Sequence, residues 1–282
     1  MGLWPSGVEE LPRALLAEGL RERLGARHAG SIEPPAFDPK RDSATGLLNP
    51  MALVGYSRRL ADGVSELLAA GEFPLVLGGD CSIVLGALLA LRRTSRPGLL
   101  FIDGQADFYQ PEAEPKGEAA SMDLALATGR GPALVTNLEG LGPLVRDEDV
   151  AVLGFRDAED AAEHGSQPLP ASIRAIPLHE FRRLGAERAA QSALAQLTRT
   201  GGPERFWIHL DADVLDDAVM PAVDYRMPGG LSWEELTIAL AAAVATPGAA
   251  GLEVCIYNPK LDPSRAAAKG LVGVLENALR RS

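Results

Sequence analysis

Six short apolar runs, most of them followed by a stretch with helical spacing, constrain this chain more than any other feature. The runs fall at residues 74–77, 99–102, 150–155, 171–178, 206–210 and 252–257. They lack the polar–apolar alternation of a sheet with one wet face, so both faces of the sheet must be covered. Helices are expected at 8–24, 50–70, 82–93, 119–128, 184–199, 232–245 and 263–281. In the first, Leu11, Leu15, Leu16, Leu20 and Leu24 recur at helical spacing. The second ends at Gly71 and Pro74, and Ser232 caps the sixth, with Glu234 and Glu235 in its first turn. Residues 30–48 read as a loop, and 108–118 and 157–170 as long functional loops. The alternation implies an α/β fold: a doubly wound, mostly parallel sheet with helices on both faces. No repeat or linker interrupts residues 1–282, so a single domain is expected.

The formal net charge of −11 argues against phosphate-backbone binding, and no apolar stretch is long enough to span a membrane. A small-molecule ligand fits this composition better. Two cysteines, Cys81 and Cys255, give no disulfide framework, and residues 1–12 lack a signal-peptide pattern. A cytoplasmic location is expected.

Ligands of a parallel sheet bind at the carboxyl ends of its strands. Three expected strand ends carry unusual polar residues: Gly78-Gly79-Asp80-Cys81-Ser82, Asp103-Gly104-Gln105-Ala106-Asp107, and His209-Leu210-Asp211-Ala212-Asp213. In an extended chain, residues two apart face the same side, so Asp103, Gln105 and Asp107 would converge, as would Asp211 and Asp213. Four carboxylates brought together either take up protons or bind a divalent ion, and oxygen donors suit hard ions. Taken singly, each motif also reads as an ordinary turn or helix cap. Gly78-Gly79-Asp80 lacks the glycine spacing of a nucleotide-binding loop.

In order, these segments resemble the arginase–agmatinase (ureohydrolase) family, whose motifs run GGDHS, DAHxD, LDxDxLDP, PGGL and EVNP. Here they stand at residues 78–82, 103–107, 210–217, 228–232 and 256–259, and residues 7–20 look like the family's first helix. The resemblance implies a binuclear manganese site whose metal-bound hydroxide attacks a guanidinium or related carbon. It implies Asp103 and Asp211 as bridging ligands, Asp107 completing one site and Asp213 the other. It also implies a homo-oligomer, often a trimer or hexamer, and, since this sequence starts where the family has just finished its first strand, either a mis-assigned start or a sheet that lacks one strand.

Several family positions hold other residues. The GGDHS histidine is Cys81, either a thiolate ligand that favours Zn²⁺, Fe²⁺ or Co²⁺, or a small buried space-filler. The DAHxD histidine is Gln105, a weaker ligand or a hydrogen-bonding neighbour of the metal, so one or two ions are expected. The guanidinium-binding glutamate is Ile256, and Glu253 falls on the opposite face by alternation. The proton-shuttling histidine aligns near Ala120, leaving Glu118 as a candidate catalytic carboxylate beside Asp107. Tyr109 replaces an asparagine that meets the amino-acid end of the substrate, while Glu159 keeps an acid that faces the substrate's amino group. His209 either orients a carboxylate or is a satisfied core residue. Two functions follow. One is a metal-dependent C–N hydrolase of a small guanidino, amidino or amide compound other than arginine. The alternative is a non-catalytic relative with a weakened or single metal site that acts in binding or interaction.

Overall fold

A computed structural model describes residues 5–280; Met1 to Trp4 of the N-terminal reading and position 281 of the last expected helix lie outside them. The chain runs through α1 (Leu11–Ala17), α2 (Leu20–Leu24), α3 (Pro50–Ala69), β1 (Leu75–Leu77), α4 (Val84–Arg92), β2 (Pro97–Ile102), α5 (Asp123–Ala127) and α6 (Ala133–Thr136). It continues through β3 (Val150–Leu153), α7 (Ala158–Glu163), β4 (Arg174–Ile176), α8 (Leu178–Leu184), α9 (Ala186–Leu197), β5 (Arg205–Asp211), α10 (Trp233–Ala245), β6 (Ala249–Cys255) and α11 (Ala266–Leu279).

The strands form one six-stranded sheet in the order β1-β6-β5-β2-β3-β4, and every pairing is parallel. From β2 the chain moves through β3 to β4 at one edge, then returns to β5 on the other side of β2. The order therefore reverses between β2 and β5, which opens a crevice beyond their carboxyl ends. Apolar side chains dictate the layers. β2 and β3 are buried along their whole length, as is β5 beyond Arg205. Helix α4 packs on β2 and β5 with α3 outside it, and α9, α10 and α11 pack side by side on the opposite face.

The structure corrects several boundaries. The expected helix at 8–24 breaks at Gly19, whose φ of 81° ends α1 and starts α2. The 74–77 run, expected to be buried, is a half-exposed edge strand lined by a groove of about 1380 Å³. The wall of that groove includes Asp80 but none of Asp103, Asp107, Asp211 and Asp213. Segment 119–128 splits into a 3-10 turn and α5, and the 157–170 loop contains α7. Gly185 divides the expected 184–199 helix, leaving α8 to begin inside the expected 171–178 strand. The last strand ends at Cys255, so Ile256 stands outside it with a left-handed φ of 67°. Ser232 caps α10 as expected, and the structure adds a capping box, Ser232 and Glu235 each accepting the other's backbone N–H. No helix among the described residues is long and apolar enough to cross a membrane.

Candidate metal centre

Each polar strand end closes on itself through a local side chain–backbone bond. After β1, Asp80 accepts the N–H of Ser82 at 3.0 Å and also its hydroxyl, capping the short turn Cys81–Ile83 that leads into α4. After β2, Asp103 Oδ1 accepts the N–H of Gln105 at 2.7 Å. At the end of β5, Asp211 Oδ1 accepts the N–H of Asp213 at 2.7 Å. These turns correct the expectation of an extended chain with same-side alternation. Asp107 is brought round by a left-handed φ of 43°, which asparagine and aspartate tolerate better than bulkier residues.

Asp213 ties the two central loops together by accepting the N–H of Gly104 at 3.1 Å. A Cβ on Gly104 would lie 2.5 Å from Arg156 Nη1 and 2.8 Å from Asp213 Oδ1, so only glycine fits this close approach. Arg156 braces the same corner, donating to the carbonyls of Asp213 and Met227 at 2.9 Å each.

Three overlapping donor sets result, each with its ligand atoms within 4.8 Å of one another and every member buried. One joins Cys81, Asp103, His209 and Asp211; the second joins Cys81, Asp107 and Asp123; the third joins Cys81, His209 and Cys255. Asp213 belongs to none of them. The Cys81 Sγ donates to Asp211 Oδ2 at 2.7 Å, and both cysteines are free thiols.

Burial raises the carboxyls of Asp107, Asp211 and Asp213 well above the usual range, and neighbouring carboxylates push them further. Burial does the same to Asp123, where His209 pulls the other way. Burial, then Cys255 and Asp211, hold the Cys81 thiol up. For His209 burial alone would disfavour the cation, but Cys255, Asp103 and Glu253 outweigh it and raise its pKa well above the imidazole range. Asp103 Oδ2, both oxygens of Asp123, Gln105 Nε2 and His209 Nε2 are buried without a hydrogen-bond partner. The Gln105 Nε2 is a donor, but the carboxylate oxygens of Asp103 and Asp123 are acceptors removed from water at a cost, and one divalent cation would satisfy several of them at once, so the residues fit a metal.

The remaining expected residues lie as follows. Tyr109 is half-buried, its hydroxyl pushed up to about 12 by burial and by nearby Asp160 and Asp157. Glu118 is buried, 3.7 Å from Lys116, with its pKa raised mainly by burial, and it joins no donor set. Glu159 is exposed in the first turn of α7. Ile256 is buried and donates its N–H to the Gly79 carbonyl at 2.9 Å. Sequence reasoning missed Asp123 and Cys255 as donors. An acid leading into the apolar Leu124–Ala127 stretch was the available signal for Asp123; nothing local marks Cys255.

The pattern of the arginase family matches residues 6–279. The chain belongs to the arginase family. An arginase of Bacillus caldovelox is 30% identical over 98% of this chain and 93% of its own length. One from Bacillus subtilis (strain 168) is 28% identical over 97% and 92%. The solved structure of the Bacillus caldovelox arginase superposes with a TM-score of 0.86 at 27% identity, covering 98% of this chain and 94% of that one. Membership supports a metal-dependent amidino hydrolase, and the buried donor cluster is consistent with the family's dependence on metal. The relatives carry the name arginase, so they lend no support to a different substrate.

Proposed function

We propose that this arginase-family chain, folded as one domain, hydrolyses a C–N bond in a small guanidino, amidino or amide compound other than arginine. The observation that carries the reading is the meeting of Cys81, Asp103 and Asp211 from three separate strand ends, buried and with ligand atoms within 4.8 Å of one another. Such a group has little structural use without a cation, because apolar residues would fill the space at lower cost. Cys81, Asp103, Asp107 and Asp211 would hold a divalent ion, with Asp213 and Gln105 beside them. Mn²⁺ suits the carboxylates, and the thiol extends the choice to Zn²⁺, Fe²⁺ and Co²⁺. When bound, such an ion acidifies water towards a pKa of about 7 and so supplies hydroxide at neutral pH.

The chain's own residues do the rest. Burial keeps water from competing at the Asp103 and Asp211 carboxylates. Glu118, a buried carboxyl that keeps its proton to a higher pH than usual, is the proposed proton carrier. Tyr109 and Glu159 are the proposed contacts for the far end of the substrate. Ile256 argues against arginine. It sits against the Gly78–Gly79 turn through its bond to Gly79, and an apolar side chain cannot pair with a guanidinium.

Gln105, Ala120 and the position of Asp213 outside every donor set favour a second reading, a non-catalytic family member with one ion. The test is direct. Metal-loaded protein is assayed for urea, ammonia or formamide release from arginine, agmatine, guanidino acids and formimino compounds. Turnover of a compound other than arginine supports the proposal. Arginine as the best substrate overturns it. Stoichiometric metal with no turnover establishes the second reading.

A further inference from the structure

We propose that His209 is itself a metal ligand through Nε2, positioned by Glu253, so that Cys81, Asp103, His209 and Asp211 form one four-donor site. The inference rests on the reading that this pocket takes a divalent ion. It adds a histidine from a position that the family motifs do not mark for this purpose.

The fold holds this ring from three sides. His209 on β5 is in register with Glu253 on β6 and with Phe101 on β2. Its ring stacks on Phe101 with centroids 4.3 Å apart and planes 9° apart, which fixes its plane. Nδ1 lies 2.7 Å from Glu253 Oε1, and His209, Glu253 and Asp103 are all fully buried. In the neutral ring, a carboxylate at Nδ1 holds the imidazole proton there and leaves the Nε2 lone pair for a metal ion. Nε2 has no hydrogen-bond partner and points towards Asp103 Oδ2, 3.7 Å away and equally unpartnered. A cation, either a proton on Nε2 or a metal ion in its place, must lie between this ring nitrogen and the Asp103 carboxylate, and the histidine–carboxylate pairing behind them is the usual support of a metal-bound imidazole. The resulting donor set, one thiolate, one imidazole and two carboxylates, suits a borderline ion such as Zn²⁺ or Co²⁺ better than Mn²⁺, and water would have to join it as a further ligand for hydrolysis. An imidazole lost from the Gln105 position is thus regained from the floor of the crevice.

The test is X-ray absorption at the zinc edge on untagged wild-type protein carrying one equivalent of Zn²⁺. The other histidines, His28, His164 and His179, are exposed, so an imidazole signal from tightly bound zinc reports His209. The expected spectrum has sulfur at about 2.3 Å, nitrogen and oxygen at about 2.0 Å, and outer-shell imidazole scattering. Bound zinc without imidazole scattering overturns the inference and leaves the hydrolase reading standing. No tightly bound zinc overturns the inference, and the hydrolase reading falls with it only if Mn²⁺ also fails to bind. Glu253→Gln checks the positioning role: zinc affinity should fall about 10- to 100-fold while the thermal midpoint of the metal-free protein holds. Unchanged affinity in that variant rules out a positioning role for Glu253.

Discussion

Asp103 and Gln105 are bound to each other by a 2.7 Å hydrogen bond from the Gln105 N–H to the Asp103 carboxylate, which turns the chain just beyond β2. The bond consumes one oxygen of Asp103, leaves the other free, and directs the Gln105 side chain by the turn rather than by strand alternation. Its Nε2 is buried without a partner. An imidazole there would be a stronger donor than the amide for a second ion. Gln105→His is therefore expected to raise tightly bound metal from about one ion per chain towards two, counted by elemental analysis after dialysis. Unchanged content would show that this position does not face an ion.

Asp123 is fully buried at the start of α5, with neither carboxylate oxygen partnered, in one donor set with Cys81 and Asp107. Asp123→Asn keeps the shape and removes the charge. Metal affinity should fall by at least about tenfold, about 1.4 kcal/mol, in a chelator competition titration. The metal-free variant should unfold no earlier than the parent, because a buried unpaired carboxyl stabilises nothing. An early-melting variant with full metal affinity would assign Asp123 to packing instead.

The sheet was legible because each apolar run is bounded by its own turn residues: Gly78-Gly79 after β1, Asp103-Gly104 after β2, Gly154 after β3. The strand ends therefore pointed to the crevice before any contact was known. Breaks inside helices were not legible where one glycine decides them, as at Gly19 and Gly185, since helical spacing continues across the break. The donor cluster was readable in Cys81, Asp103, Asp107 and Asp211, which stand in motifs. Asp123, Cys255 and the pairing of His209 with Glu253 were not, because they depend on strand register and on which loop folds over which. Alternation also misplaced Ile256, since β6 ends one residue before it and the backbone turns left-handed there.

Removing the ion should cost the fold stability as well as activity. Asp103, Asp211 and Cys81 are held together in the core, and an ion that binds only the folded state stabilises it by mass action. At a free concentration about 100-fold above its dissociation constant, the gain is about 2.7 kcal/mol. For a chain of this length that amounts to several degrees in the melting midpoint. Chelator-treated protein should melt earlier, and Zn²⁺ or Mn²⁺ should restore the midpoint in a concentration-dependent way. A midpoint indifferent to both ions would argue against a metal in this pocket.

Asp157 gives the pH dependence a handle away from the donor sets. Burial pushes its carboxyl up to about 6, the N–H of Ala106 at 3.1 Å draws it partly back, and Asp103 raises it again. Its unfolded value is about 3.9, so the folded state binds more protons between these two values. The stability this group contributes is fully present below about pH 4 and is lost as pH rises through about 6, on the order of 3 kcal/mol. In metal-free protein, Asp157→Asn keeps an acceptor for Ala106 and removes the titration. Melting midpoints measured from pH 4 to 8 should fall less steeply in the variant, and by pH 7.5 it should match or exceed the parent. Parallel curves for the two proteins would show that Asp157 titrates alike in the folded and unfolded chains.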